Sequence, residues 1–164
     1  MLLTTLQTLF NRDLEKLNAE LALYQTESRI WYVEKSIANS AGNLCLHLLG
    51  NLNTYIGAGL GQMEYVRDRD REFADSGVPR AELLRALDQT KAVVHDTLAR
   101  LPAAALAQEY PLLVFDHPTS TEYLLVHLTT HLAYHLGQVN YHRRLLDDLE
   151  QPENLNSPSV KNAL

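Results

Sequence analysis

A single cysteine, Cys45, excludes an intrachain disulfide and suits a reducing compartment. Clustered basic residues are also lacking. The formal net charge is −6, and the densest basic run, Arg67-Asp68-Arg69-Asp70-Arg71-Glu72, alternates in sign. Nucleic-acid affinity depends on grouped Lys and Arg that neutralise phosphates, so nucleic acid is not an expected partner. The alternating run reads as a solvated face whose charges pair with one another. No apolar stretch approaches the roughly 18 residues of a spanning helix. The opening Met1-Leu-Leu-Thr-Thr-Leu-Gln-Thr-Leu-Phe10 has no basic start and runs straight into Asn11, Arg12 and Asp13. Neither a membrane nor a secretory leader is expected, which leaves the cytoplasm as the expected location. Gly57-Ala-Gly59-Leu-Gly61 follows a helical pattern rather than a strand, so it is no phosphate loop. A Gly-x-Ser-x-Gly elbow is absent.

The 164 residues fit one domain with a sizeable core, and 46% apolar with 21% charged residues is the balance of a soluble globular protein. Four long segments carry apolar residues at helical intervals. The first spans about Leu3 to Tyr24, with Leu6, Leu9, Leu14, Leu17 and Leu21. The second spans about Ile37 to Met63, with Leu44, Leu48, Leu52, Tyr55 and Ile56. Its Gly50, Gly57, Gly59 and Gly61 are poor helix formers, which close backbone packing or a frayed end would explain. The third begins near Pro79 and reaches about Arg100, with Leu83, Leu84, Leu87, Val94 and Leu98. The fourth opens on Thr119-Ser-Thr-Glu122, which matches a capping box, and continues to about Leu149.

Strand signals are confined to Arg29-Ile-Trp-Tyr-Val33 and Pro111-Leu-Leu-Val-Phe115, short runs expected to pack over the ends of the helices. The expected fold is all-α, an up-and-down four-helix bundle over residues 1–150. The polar, proline-interrupted residues 151–164 read as a loose tail.

Against this apolar background, three histidines recur every four residues in His127-Leu-Thr-Thr-His131-Leu-Ala-Tyr-His135. At about 100° per residue they share one helical face. A buried stripe normally carries Leu or Ala, because each buried polar ring must find a partner. Two imidazoles four apart can reach one ion, although a His-x-x-x-His pair alone has low specificity. His47 adds weight, being flanked by leucines in mid-helix, with Asn43, Asn51 and Thr54 at helical spacing on its face. Two polar seams in a small bundle are best buried against each other, which would set His47 opposite the histidine run.

The His47 segment together with His131-Leu-Ala-Tyr-His135-Leu-Gly137-Gln138 resembles the DinB-like superfamily of metal-dependent bundle proteins, which is unrelated to the DNA polymerase sharing that name. Arg69-Asp-Arg-Glu-Phe73 is similar to one branch of the same superfamily. The resemblance covers roughly residues 3–150. It implies a metal triad of His47, His131 and His135, a homodimer, and either thiol S-transfer, joining a low-molecular-weight thiol to an electrophilic small molecule, or hydrolysis. Many relatives carry Arg after the last histidine, whereas Leu136 stands here and cannot bind an anion.

Three neutral imidazoles leave a coordination position open, as in catalytic zinc sites; imidazole suits Zn, Ni, Cu or Fe, so ligand type alone does not choose, and a divalent ion, Zn or Ni, is the expected cofactor. Asn51 and Gln138 are the candidate acceptors for the second ring nitrogens. His127 lies one turn before His131, as a neighbour, a proton shuttle or a fourth ligand. Tyr134 and Glu122 are the other candidates for acid–base work. His142 lies too far along the stripe to share the ion and is expected at the surface or in a dimer contact. His95 and His117 are expected to be structural or solvent-exposed, and Cys45 a buried, inert thiol. A non-catalytic metal-binding bundle and a metal-free hydrogen-bonded stripe are the competing readings. Tyr-rich helix surfaces, including Tyr55, Tyr65, Tyr134 and Tyr141, leave room for a helix–helix dimer.

Overall fold

The computed structural model describes residues 2–147 and is all-helical, with no strand among the described residues. Five α-helices run in order: α1 Leu2–Ala22, α2 Ala41–Leu52, α3 Arg69–Ala74, α4 Arg80–Arg100 and α5 Thr121–Leu146. The segment 151–164, read as a loose tail, lies outside the described residues. No helix among them is long and apolar enough to cross a membrane.

The core follows from periodicity. Leu6, Phe10, Leu14, Leu17 and Leu21 of α1 bury one stripe. It meets Leu83, Leu87, Val94 and Leu98 of α4 and Leu124, Leu128, Leu132 and Val139 of α5. α2 is buried on nearly every face, since α3, α4 and α5 all pack against it. Its start falls later than Ile37 because Lys35 takes φ 53° and Ser40 caps the helix, its Oγ accepting from Asn43 N at 3.1 Å.

Beyond Leu52 the helix widens into a π-helical turn over Asn53–Ala58. There Thr54 Oγ1 donates back to Gly50 O, and the Tyr110 hydroxyl donates to Tyr55 O at 2.7 Å. The glycines of this stretch reflect close packing rather than fraying. A Cβ at Gly59 would overlap the Tyr110 hydroxyl, and one at Gly57 would press on Met63 and Val93.

The expected cap of the last helix needs correction. The cap of α5 is Ser120, whose Oγ accepts from Tyr123 N at 3.1 Å, not Thr119. Thr119 O is already taken by Tyr110 N, and Thr121 N donates to Gln108 O, around an isolated antiparallel bridge between Glu109 and Ser120. This holds Thr119 in the bridge, one residue before the cap and two before the helix. The run 29–33 forms no strand, since Glu27–Trp31 is a 3-10 turn.

Candidate metal centre

α2 and α5 bring His47, His131 and His135 together. One ring nitrogen of each lies within 4.8 Å of the others, a grouping that could hold a metal ion. His47 Nε2 is 3.2 Å from His131 Nε2, and His135 Nε2 is 3.1 Å from the same atom. Ligand atoms around a tetrahedral zinc at about 2.0–2.1 Å stand roughly 3.3 Å apart, so the spacing needs only small adjustment.

The outer nitrogens are held from behind. His47 Nδ1 meets Glu72 Oε2 at 3.0 Å, and His135 Nδ1 meets Gln138 Oε1 at 2.6 Å. Arg67 Nη2 also lies 3.3 Å from His47 Nδ1, but it donates to Glu72 Oε2 at the shorter 2.8 Å, so the closest partner of each outer nitrogen is an acceptor and the ring protons of His47 and His135 are assigned to Nδ1. Each ring then turns an Nε2 lone pair toward His131 Nε2. A neutral His131 has one ring proton. On Nε2 that proton can serve only one of the two facing lone pairs; on Nδ1 it serves neither. A shared cation relieves the arrangement.

His131 Nδ1 and Asn51 Oδ1 are the buried side-chain polar atoms left without a partner among the described residues. Gln138 thus accepts from His135, while Asn51 bonds to none of the three rings. Burial lowers the pKa of His47, His131 and His135 below the ordinary value, and His131 falls to about 4 because burial is reinforced by repulsion from His135 and His47. At neutral pH all three rings are in the uncharged form that ligation requires.

His127 stays outside the convergent trio. Its ring stacks at 6.1 Å from that of His131 and meets the edge of Phe115 at 5.0 Å. Tyr134 is exposed, with its ring 5.1 Å from His135, and Glu122 is exposed on the first turn of α5. His142, expected at the surface, is instead buried: Nδ1 pairs with the Tyr24 hydroxyl at 2.7 Å, and Nε2 donates to Tyr32 O at 2.8 Å. Its neighbours come from the far end of α1 and the following turn, which the helical stripe alone does not reveal. His95 and His117 are exposed. Cys45 is fully buried, and burial pushes its thiol up to about 12.

The reading of residues 67–72 as a solvated, self-paired face is half overturned. Arg67 and Glu72 do pair, at 2.6 and 2.8 Å, but Glu72 is buried and faces His47. Phe73 lies against the same ring at 5.1 Å between centroids. Sequence reasoning missed this third contributor, since α3 is short and mostly charged. The available signal was Gly50, three residues after His47 on its face: a Cβ there would overlap Glu72 Oε1. Asn43 completes the docking, its Nδ2 donating to Glu72 O at 3.0 Å and Asp75 O at 2.8 Å. The polar seam of α2 is thus shared between α5 and α3.

Fold and site together define an all-helical protein with a three-histidine cluster between its second and last helices. The family model described as a protein of unknown function (DUF1572) matches residues 2–158, and the chain belongs to that family. No curated protein and no solved structure matches it.

Proposed function

We propose that the chain is a DinB-like four-helix bundle that holds one divalent ion, Zn or Ni, on His47, His131 and His135, and transfers a low-molecular-weight thiol to an electrophilic small molecule. The observation that carries the metal reading is the pair of nitrogen contacts at 3.1 and 3.2 Å, which one neutral His131 cannot satisfy. The residues fit such an ion in donor type, spacing and protonation state. When bound, the ion supplies a Lewis-acid position that acidifies a ligated water or thiol.

The side chains favour transfer over hydrolysis. Hydrolysis asks more of a base, since water is a far weaker acid than a thiol. The one carboxylate beside the cluster, Glu72, is engaged by Arg67 and His47 through both oxygens. A thiol needs less help to ionise: its S–H proton leaves, sulfur forms the new bond to the electrophilic carbon, and the leaving group departs with its electron pair. His127, whose ring lies 6.1 Å from that of His131, is the candidate to take that proton, and Tyr134, 5.1 Å from His135, is a candidate to donate one to the leaving group. Phe73 packs on His47 and Phe115 on His127, which gives the neighbourhood an apolar edge.

A homodimer is proposed to form on the outer face of α5, where Tyr123, Val126, Tyr134, Tyr141 and Leu145 are exposed and a Cβ at Gly137 would touch nothing. Sedimentation of Tyr141→Glu beside the parent tests it, and a parent that sediments as a monomer refutes it. The buried, unpaired Cys45 and a thiol co-substrate both suit a reducing compartment, and the cytoplasm is the proposed location.

Metal content by mass spectrometry, on untagged protein beside His47→Ala, tests the core of the proposal. About one Zn or Ni per chain, lost in the variant, supports it and justifies a thiol-transfer screen. No metal in either sample after incubation with both ions makes the cluster a hydrogen-bonded core feature, and the enzyme reading falls with it.

A further inference from the structure

The metal reading leaves one buried charged pair without a role. Glu72 belongs to a six-residue helix, and Arg67 to the strand of coil leading into it. A buried ion pair contributes little net stability compared with apolar residues of similar size, so its presence here calls for another reason. Three independent features aim Glu72 at His47.

The first is contact, with Oε2 3.0 Å from Nδ1 of the ring. The second is restraint. Arg67 grips the carboxylate as a fork, Nε on Oε1 at 2.6 Å and Nη2 on Oε2 at 2.8 Å, which fixes the plane of the carboxylate and occupies both oxygens. The third is space. Gly50 sits inside α2, where glycine is a poor helix former, and the volume its side chain would fill is taken by Glu72 Oε1. Asn43 meanwhile pins the backbone of Glu72 and Asp75 to α2, so the carboxylate cannot drift with a loose arm.

We propose that Glu72 is a positioning residue of this centre: it holds His47 as the Nδ1–H tautomer, with the Nε2 lone pair turned toward His131 and His135. The inference rests on the metal reading above. Glu72 acts through His47 and not as a fourth ligand, because Arg67 and His47 already engage both of its oxygens. Arg67 is the residue that keeps it there.

The test uses the full chain and Zn alone. Zn affinity is measured by competition with a chromophoric chelator for the parent, Glu72→Leu, which has no acceptor, and Gly50→Ala. The Arg67→Met/Glu72→Leu double variant removes the unpaired charge that Glu72→Leu leaves and covers failure of the single variant to fold. Long-range 1H–15N spectra of the imidazoles report the His47 tautomer separately from affinity. Outer partners of this kind typically contribute roughly 10- to 100-fold in metal affinity. A loss of that order is expected in all three variants, with His47 no longer confined to Nδ1–H in those lacking the carboxylate. Unchanged Zn affinity in a folded variant lacking Glu72, or a His47 that keeps its Nδ1–H tautomer there, overturns the inference alone. A parent protein that takes up no Zn overturns the metal reading and this inference together.

Discussion

Replacing His131 by leucine separates what the cluster costs the fold from what it gives the site. In the metal-free protein, burial and two neighbouring imidazoles lower the His131 pKa from 6.5 to about 4. A depressed histidine binds fewer protons folded than unfolded, so stability rises with pH across this range. Its contribution is fully present above 6.5. It is lost as pH falls toward about 4, below which both states are protonated and the loss stops growing. Between pH 7 and pH 5 those two values set an upper bound of about 2 kcal/mol on the loss from this residue, which solvent screening of the half-buried ring reduces. Leucine removes that loss, and with it the partnerless Nδ1. Burying an unsatisfied donor is itself unfavourable, so the variant is expected to match or exceed the parent at pH 7 in chelator and to have a flatter acid profile. Urea unfolding at pH 7 and pH 5, with excess chelator, measures both. Adding Zn reverses the order at pH 7: the parent gains about 2.7 kcal/mol at a free Zn concentration 100 times its Kd, and His131→Leu gains nothing. Equal losses of stability in the two proteins between pH 7 and pH 5 would refute the reasoning, since His131 would then titrate alike folded and unfolded.

Three further perturbations probe the frame around the centre. His142→Phe strands the Tyr24 hydroxyl and the Tyr32 carbonyl, at a cost of about 1–3 kcal/mol for each buried group left unpaired, readable by chemical denaturation. Gly59→Ala drives a methyl into the Tyr110 hydroxyl and off its bond to Tyr55 O; an overpacking loss of about 1–3 kcal/mol is expected in a thermal melt followed by circular dichroism. His135→Ala is expected to abolish the rise in melting temperature that Zn produces in the parent, while retained Zn stabilisation would remove His135 from the site.

The four long helices were legible because each repeats apolar residues at a helical interval over many turns, and Leu6 through Leu21 of α1 bury just as that spacing requires. The meeting of His47 with His131 and His135 was legible for a related reason. A polar ring among leucines must find a partner, and only another polar seam offers one. Their partners behind were another matter. Gln138 could be placed because it rides on the same helix as His135, three residues on. Glu72 could not, because it arrives from a connection, and its run of alternating charges is locally indistinguishable from a solvated surface. Its burial is decided in three dimensions by the gap at Gly50, the fork of Arg67 and the Asn43 amide. His142 failed for the same cause with the opposite outcome: it continues the histidine stripe, yet Tyr24 and Tyr32 claim it from outside the helix. Even the cap of α5 moved by one residue because the Glu109–Ser120 bridge, formed across a loop, holds Thr119 before the cap. Periodicity thus reveals which side chains a helix offers to the interior. The acceptors and cations that meet them from connecting segments follow from tertiary packing, and in this chain those segments supply the carboxylate that turns His47 toward the other two rings.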